Sequence, residues 1–132
     1  MKMLRQVDEL ESIGDSCFHL ARTLNRKREN GAEPFTDEQQ HRITQMIRLT
    51  DSSLSNMEML LEQDSRLTES QIAYSHDLEH QINNYRNQLT SRNLQDIDAG
   101  QYSYQLGVFY IDFICECEKL ADYVINVIET NE

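Results

Sequence analysis

The stretch Tyr102–Thr130, YSYQLGVFYIDFICECEKLADYVINVIET, decides the fold. Leu106, Tyr110, Phe113, Cys117, Leu120, Val124 and Val127 recur at spacings of 4, 3, 4, 3, 4 and 3, which is a sustained heptad seam. Ile114, Ala121, Ile125 and Ile128 widen that seam into a broad apolar face. A helix with so wide an apolar face belongs in the middle of a helical domain, so this segment is expected to be the most buried of the chain. The seam supports helix packing and leaves no room for the two-residue alternation of a strand.

Working outward, three more helical patterns precede it. Helix A is expected over Met3–Arg28. Met3, Leu10, Cys17 and Leu24 fall every seven residues, with Val7, Ile13, Leu20 and Ala21 alongside. Arg22, Arg26, Lys27 and Arg28 suit the carbonyl end of its dipole, and Asn30, Gly31 and Pro34 stop it. Helix B is expected from Thr36, where Thr36 and Gln39 have capping-box spacing, to about Gln63. Its apolar face is Ile43, Met46, Ile47, Leu49, Leu54, Met57, Leu60 and Leu61. Thr68 is the expected cap of helix C, which runs over Glu69–Asn93 with Ile72, Leu78, Ile82, Tyr85 and Leu89 as its ladder. Its polar remainder places it at the edge of the bundle, and 93–101 reads as a loop. Four helices joined by short loops give an all-α, up-down four-helix bundle about 40 Å long.

The composition agrees. The 132 residues carry 12 Lys+Arg against 23 Asp+Glu, for a net charge of −11. That balance excludes nucleic acid as a default partner, because phosphates repel the chain, and it argues equally against anionic lipid. One Pro and four Gly are too few for the turns of a many-stranded sandwich or barrel. There is no apolar run long enough to cross a membrane, and MKMLRQVDELES lacks the apolar region of a signal peptide. Three cysteines without a paired framework fit a reducing compartment. No glycine-rich phosphate loop or nucleophile-plus-base arrangement is present, and no enzymatic activity is expected.

The chain also repeats itself. Glu9-Leu10-Glu11-Ser12-Ile13-Gly14-Asp15 superimposes on Glu116-Cys117-Glu118-Lys119-Leu120-Ala121-Asp122 as Glu-x-Glu-x-apolar-small-Asp. Glu11 with Asp15, and Glu118 with Asp122, are four apart and share a helix face, where like charges repel by a few tenths of a kcal/mol, of order 0.2–0.5. A sequence that carries this cost twice has either a solvated acidic face or a cation there. Gly14 and Ala121 leave space beside each pair. Hard oxygen donors of this kind suit Mg, Ca, Mn or Fe.

Elsewhere, Cys17 and Cys117 fall on seam positions and are expected as small core residues, with Cys115 as a surface or groove thiol. His19 is expected at the edge of the helix A apolar face. Glu38-x-x-His41 has the spacing of a di-iron carboxylate helix but stands alone, and His76 and His80 share one face of helix C.

The segments ELESIGDSCFHLAR (9–22) and ECEKLADYVINVIE (116–129) resemble the E-x-x-x-D helices of the PhoU family. INNYRNQL (82–89) is similar to the PhoU-like cytosolic tail of bacterial Na/phosphate cotransporter-related membrane proteins. The resemblance covers nearly the whole chain with short, degenerate motifs. It implies one PhoU-like helical domain over 1–132, the C-terminal part of a longer membrane protein, lying in the cytoplasm at the inner face of the membrane. It implies a regulatory or interaction role in Na-dependent phosphate transport. Its partner is then the transmembrane portion of the same or a companion protein, without lipid insertion, or a second copy in a homo-oligomer. Carried over to this chain, the metal-ligand candidates are Glu11, Asp15, Glu118 and Asp122, for Fe, Mn, Mg or Zn. The family's frequent Arg after the Glu is Ser12 and Lys119 here, and the His that often follows the Asp is Ser16 and Tyr123. The middle helix offers His76, Glu79 and Asn83 where the family often has carboxylates. Two rival readings are a carboxylate-bridged metal-binding or storage bundle and a ligand-free oligomerisation bundle in which helix D supplies the interface.

Overall fold

The computed structural model describes residues 2–31 and 33–131, with the side chains of 2 and 3 excepted. Four helices account for almost all of them: α1 (Lys2–Glu29), α2 (Asp37–Leu61), α3 (Glu69–Asp98) and α4 (Tyr104–Glu129). Among the described residues there is no strand. Met3, the first member of the helix A stripe, has its side chain outside the described residues.

Local chemistry fixes the helix starts. The Thr36 side chain accepts from the Gln39 backbone N–H and the Gln39 side chain accepts from the Thr36 N–H, a complete capping box. Thr68 and Gln71 repeat the device at the start of α3. Ser103 caps α4 by accepting from the Leu106 N–H.

α3 runs five residues past its expected end. Leu89, Asn93 and Asp96 lie one turn apart and are all buried, so packing carries the helix through the polar run at 93–98. It stops at Gly100, whose φ of 74° lets the Gln101 N–H bond to the Asp96 carbonyl and the Gly100 N–H to that of Ile97. This is a Schellman ending, and it needs the left-handed conformation that Gly adopts at no steric cost.

The helices alternate in direction around α4, which packs against all three others. Leu106, Tyr110, Ile114, Cys117, Leu120, Ala121, Val124, Val127 and Ile128 are each at most 2% exposed. Burying such an aliphatic side chain contributes about 1.5–3 kcal/mol, so α4 is the main source of stability. One end of the core joins Met57, Leu60, Leu67 and Ile13 to the C-terminal half of α4. The other joins Met46, Ile82 and Leu89 to Tyr110, Phe113 and Ile114.

Two expectations about depth are corrected. The peripheral helix is α1, not α3: among the described residues its backbone approaches α4 and neither α2 nor α3, whereas α3 packs on both α2 and α4. Among the described side chains of α1 only Ile13 and Ser16 are buried, and Cys17, expected in the core, is exposed. The α4-facing side of α1 runs through Gln6, Glu9, Ile13, Ser16 and Leu20, rotated away from the Leu10–Cys17–Leu24 stripe.

Candidate functional site

α3 and α4 pack antiparallel, and their shared edge gathers charged residues from both. On α4, Cys115, Glu118 and Asp122 lie one turn apart; on α3, His76, Glu79, Asn83 and Arg86 do the same. Reversed direction brings them together in order. His76 Nε2 lies 3.8 Å from Glu129 Oε1. Glu79 is within hydrogen-bonding reach of Asp122. Arg86 faces Cys115 and Glu118, and its Nη2 donates to Asn83 Oδ1 at 2.9 Å.

Three carboxylates of two helices therefore form one cluster, Glu79, Glu118 and Asp122. Partial burial pushes the Glu79 carboxyl above the usual range, Asp122 adds to the rise, and His80 and His76 pull it back. Glu118 rises for the same first reason, then from Asp122, with Arg86 opposing. Asp122 thus makes both glutamates harder to ionise. Cys115 is half-buried, and burial also raises its thiol. It is a poor nucleophile there, since the thiolate is the reactive form.

The second acid pair stands elsewhere. Glu11 and Asp15 are exposed. The α4-facing side of α1 carries Gln6, whose Nε2 donates to Asn131 Oδ1 at 2.9 Å, and Ser16, whose hydroxyl donates to Glu116 Oε1 at 2.5 Å. Asn126 Nδ2 donates to Glu9 Oε2 at 3.4 Å. In both copies of the repeat the first glutamate, Glu9 or Glu116, faces the other helix. The second glutamate is two residues on, about 200° around the axis, and points away. On α4 that direction meets α3. On α1 it meets solvent.

Glu11, Asp15, Glu118 and Asp122 consequently do not form one ligand set. Among the described residues no group of three or more His, Cys, Asp or Glu is arranged to hold a metal ion. The cluster of Glu79, Glu118 and Asp122 stands on the α3/α4 edge, apart from Glu11 and Asp15 on the exposed side of α1, so the two acid pairs do not share a site.

The remaining candidates have structural partners. His19 is exposed and meets Phe18 edge-on. Glu38 pairs with Arg42 and not with His41, which dissolves the di-iron spacing. His80 is largely exposed, 3.9 Å from Glu79. Cys117 is buried beside Thr50, with its thiol pushed up to about 12.

A polar network at the opposite end of α3 had no reading in sequence. Asp96, 7% exposed, accepts from Arg92 Nε at 3.0 Å and lies 3.5 Å from Arg42 Nη1. The Tyr102 hydroxyl donates to Asn93 Oδ1 at 2.6 Å, and Asn93 Nδ2 donates to the Gly107 carbonyl at 3.4 Å. The buried Tyr110 hydroxyl has no hydrogen bond of ordinary geometry; the Arg42 guanidinium beside it is its polar neighbour, and burial pushes it up to about 12. These residues tie the ends of α2, α3 and α4 together. The i, i+4 spacing of Arg92 and Asp96 was the available signal, hidden by the loop reading of 93–101.

The chain matches no family model, no curated protein and no solved structure.

Proposed function

We propose that the chain is a non-catalytic regulatory or interaction domain of the PhoU-like kind, cytosolic, serving a Na-dependent phosphate transporter. In this reading the α3/α4 edge is the docking surface. The observation that carries it is the cluster of Glu79, Glu118 and Asp122, three carboxylates from two helices close enough that Asp122 raises the pKa of both glutamates. Packing concentrates negative charge there, with Arg86, His76 and His80 opposing it. Perturbed carboxylates at a surface favour a site over a structural edge.

The chemistry of a membrane partner suits such a surface. Cytosolic loops of membrane proteins are enriched in Lys and Arg, and an acidic domain of net charge −11 is attracted to them at long range. No described helix is long and apolar enough to cross a membrane. The membrane unit therefore belongs to another segment or another protein. The resemblance of 9–22 and 116–129 to PhoU helices supplies the transport context; the fold and charge supply the surface.

The test is phosphate uptake in the native host with the coding segment deleted and then restored. Restoration by wild type, and failure by Glu118→Lys combined with Asp122→Lys at equal protein abundance, is the expected result. Uptake unaffected by the deletion refutes the transport role. Full restoration by the double variant refutes the docking surface while leaving the role standing.

A further inference from the structure

α1 keeps an apolar seam that its own bundle does not cover. Val7, Leu10, Gly14, Cys17, Ala21 and Leu24 follow the alternating three- and four-residue spacing of a heptad seam. All six are exposed, with Val7 at 45%, Leu10 at 43% and Leu24 at 44%. A Cβ added at Gly14 meets nothing within 4 Å. α1 packs on α4 through a different side, that of Ile13 and Ser16, so the seam is left over once α1 has docked. It borders an open apolar groove with Cys17 and Leu20 on one wall, Ile47 and Leu54 on the other, and Cys117 and Leu120 as its floor. Exposed large apolar residues of this density mark an interaction surface.

We propose that the seam pairs with the same seam of a second copy, α1 antiparallel to α1. Two independent features select this occupant. The first is size. In an antiparallel pair, the register that sets Val7 opposite Leu24 of the second copy also sets Leu10 opposite Ala21 and Gly14 opposite Cys17. Every seam position is filled, and small residues meet larger ones, as interdigitating packing requires. A parallel pair sets Gly14 on Gly14 and Ala21 on Ala21 and leaves gaps.

The second feature is charge. The flank beside the seam carries Asp8, Glu11 and Asp15 in the first half of the helix and Arg22 in the second. The antiparallel register places Asp8 and Glu11 of each copy near Arg22 of the other, twice by symmetry, against one repulsion between the two Asp15 at the axis. A parallel pair places acid against acid. The overall charge of −11 repels two copies at long range, so local complementarity must hold them together. The seam from Val7 to Leu24 is about 26 Å long, which sets the expectation of a concentration-dependent dimer. A closed two-fold pair of this kind uses the same patch on both copies.

Sedimentation equilibrium of the full chain, over micromolar to submillimolar concentration, tests this. The expected mass approaches twice 15.5 kDa as concentration rises. Leu10→Arg, at a position exposed in the single bundle, should stay at 15.5 kDa with unchanged far-UV circular dichroism. Glu11→Arg should weaken the dimer several-fold, and adding Arg22→Glu should restore it. A wild type that stays monomeric throughout overturns the proposal. So does a dimer indifferent to Leu10→Arg, which would place the interface elsewhere. Failure of the charge swap to rescue overturns the antiparallel register.

Discussion

Two glycines in this bundle should respond with opposite sign to the same substitution. At Gly107 in α4, an added methyl would lie 2.5 Å from Ile97 Cδ1 and 3.1 Å from both Ile97 Cγ1 and Asn93 Oδ1. The Ile97 tip can rotate away, but Asn93 is held by the Tyr102 hydroxyl at 2.6 Å. Forcing an extra carbon into such a contact costs about 1–3 kcal/mol. Alanine returns about 1 kcal/mol over glycine inside a helix. Gly107→Ala should therefore destabilise by about 1 kcal/mol, with about 2 as the upper end. At Gly14 in α1, nothing lies within 4 Å of the new carbon, and only the helical gain remains. Gly14→Ala should stabilise by up to about 1 kcal/mol. For a chain of this size 1 kcal/mol moves the melting temperature by about 4 °C, so the two variants should bracket the wild type clearly. Thermal and urea unfolding followed by circular dichroism, at concentrations low enough to keep the chain monomeric, measure both. If Gly107→Ala stabilises as much as Gly14→Ala, α3 and α4 do not approach at Gly107 as described, and the account of the α4 register fails.

Stability should fall as pH rises from the ordinary glutamate value, about 4.3, through the raised values of Glu79 and Glu118, because the folded state holds more protons in that window. Glu79→Gln should stabilise the protein at neutral pH and flatten this slope; an unchanged slope in a pH series of urea midpoints would show that the cluster is not coupled. Thr68→Ala removes the α3 cap and should cost about 1 kcal/mol, with hydrogen exchange rising first at 69–72. Tyr102→Phe deprives the buried Asn93 of its donor and should cost about 1–3 kcal/mol; a neutral result would mean that water satisfies Asn93. Elemental analysis of the purified protein should give metal well below one equivalent, equally in Glu11→Ala and Glu118→Ala. Stoichiometric Mn or Fe lost in Glu118→Ala would reinstate a ligand set at the α3/α4 edge.

Much of the fold was legible because its causes are local. The 4-3 spacing from Leu106 to Val127 dictates a helix with one wide apolar face, and Thr36/Gln39 and Thr68 with Gln71 set helix starts by hydrogen bonds within four residues. The loop reading of 93–101 follows from Asn93, Asp96 and Asp98 being turn-formers by intrinsic preference, whereas the tertiary partners Tyr102, on Asn93, and Arg42, on Asp96, favour the helix. The site divides in the same way. Spacing placed Glu118 with Asp122 on one face and Glu11 with Asp15 on another, since four residues nearly complete a turn.

By itself, then, the sequence determined four helices, the caps of the second and third, the dominance of the last one and the duplicated acidic element. Which neighbours each acidic pair meets was decided in three dimensions. A helix presents several faces, and the direction in which it docks is set by the summed burial of its whole length. α1 docks through Ile13 and Ser16, which turns Glu11 and Asp15 to solvent and leaves the Leu10–Leu24 seam bare. α4, enclosed on three sides, turns the equivalent Glu118 and Asp122 onto Glu79 of α3. Two copies of one local motif thus acquired different surroundings, because burial is a property of the assembled bundle and not of the seven residues that repeat.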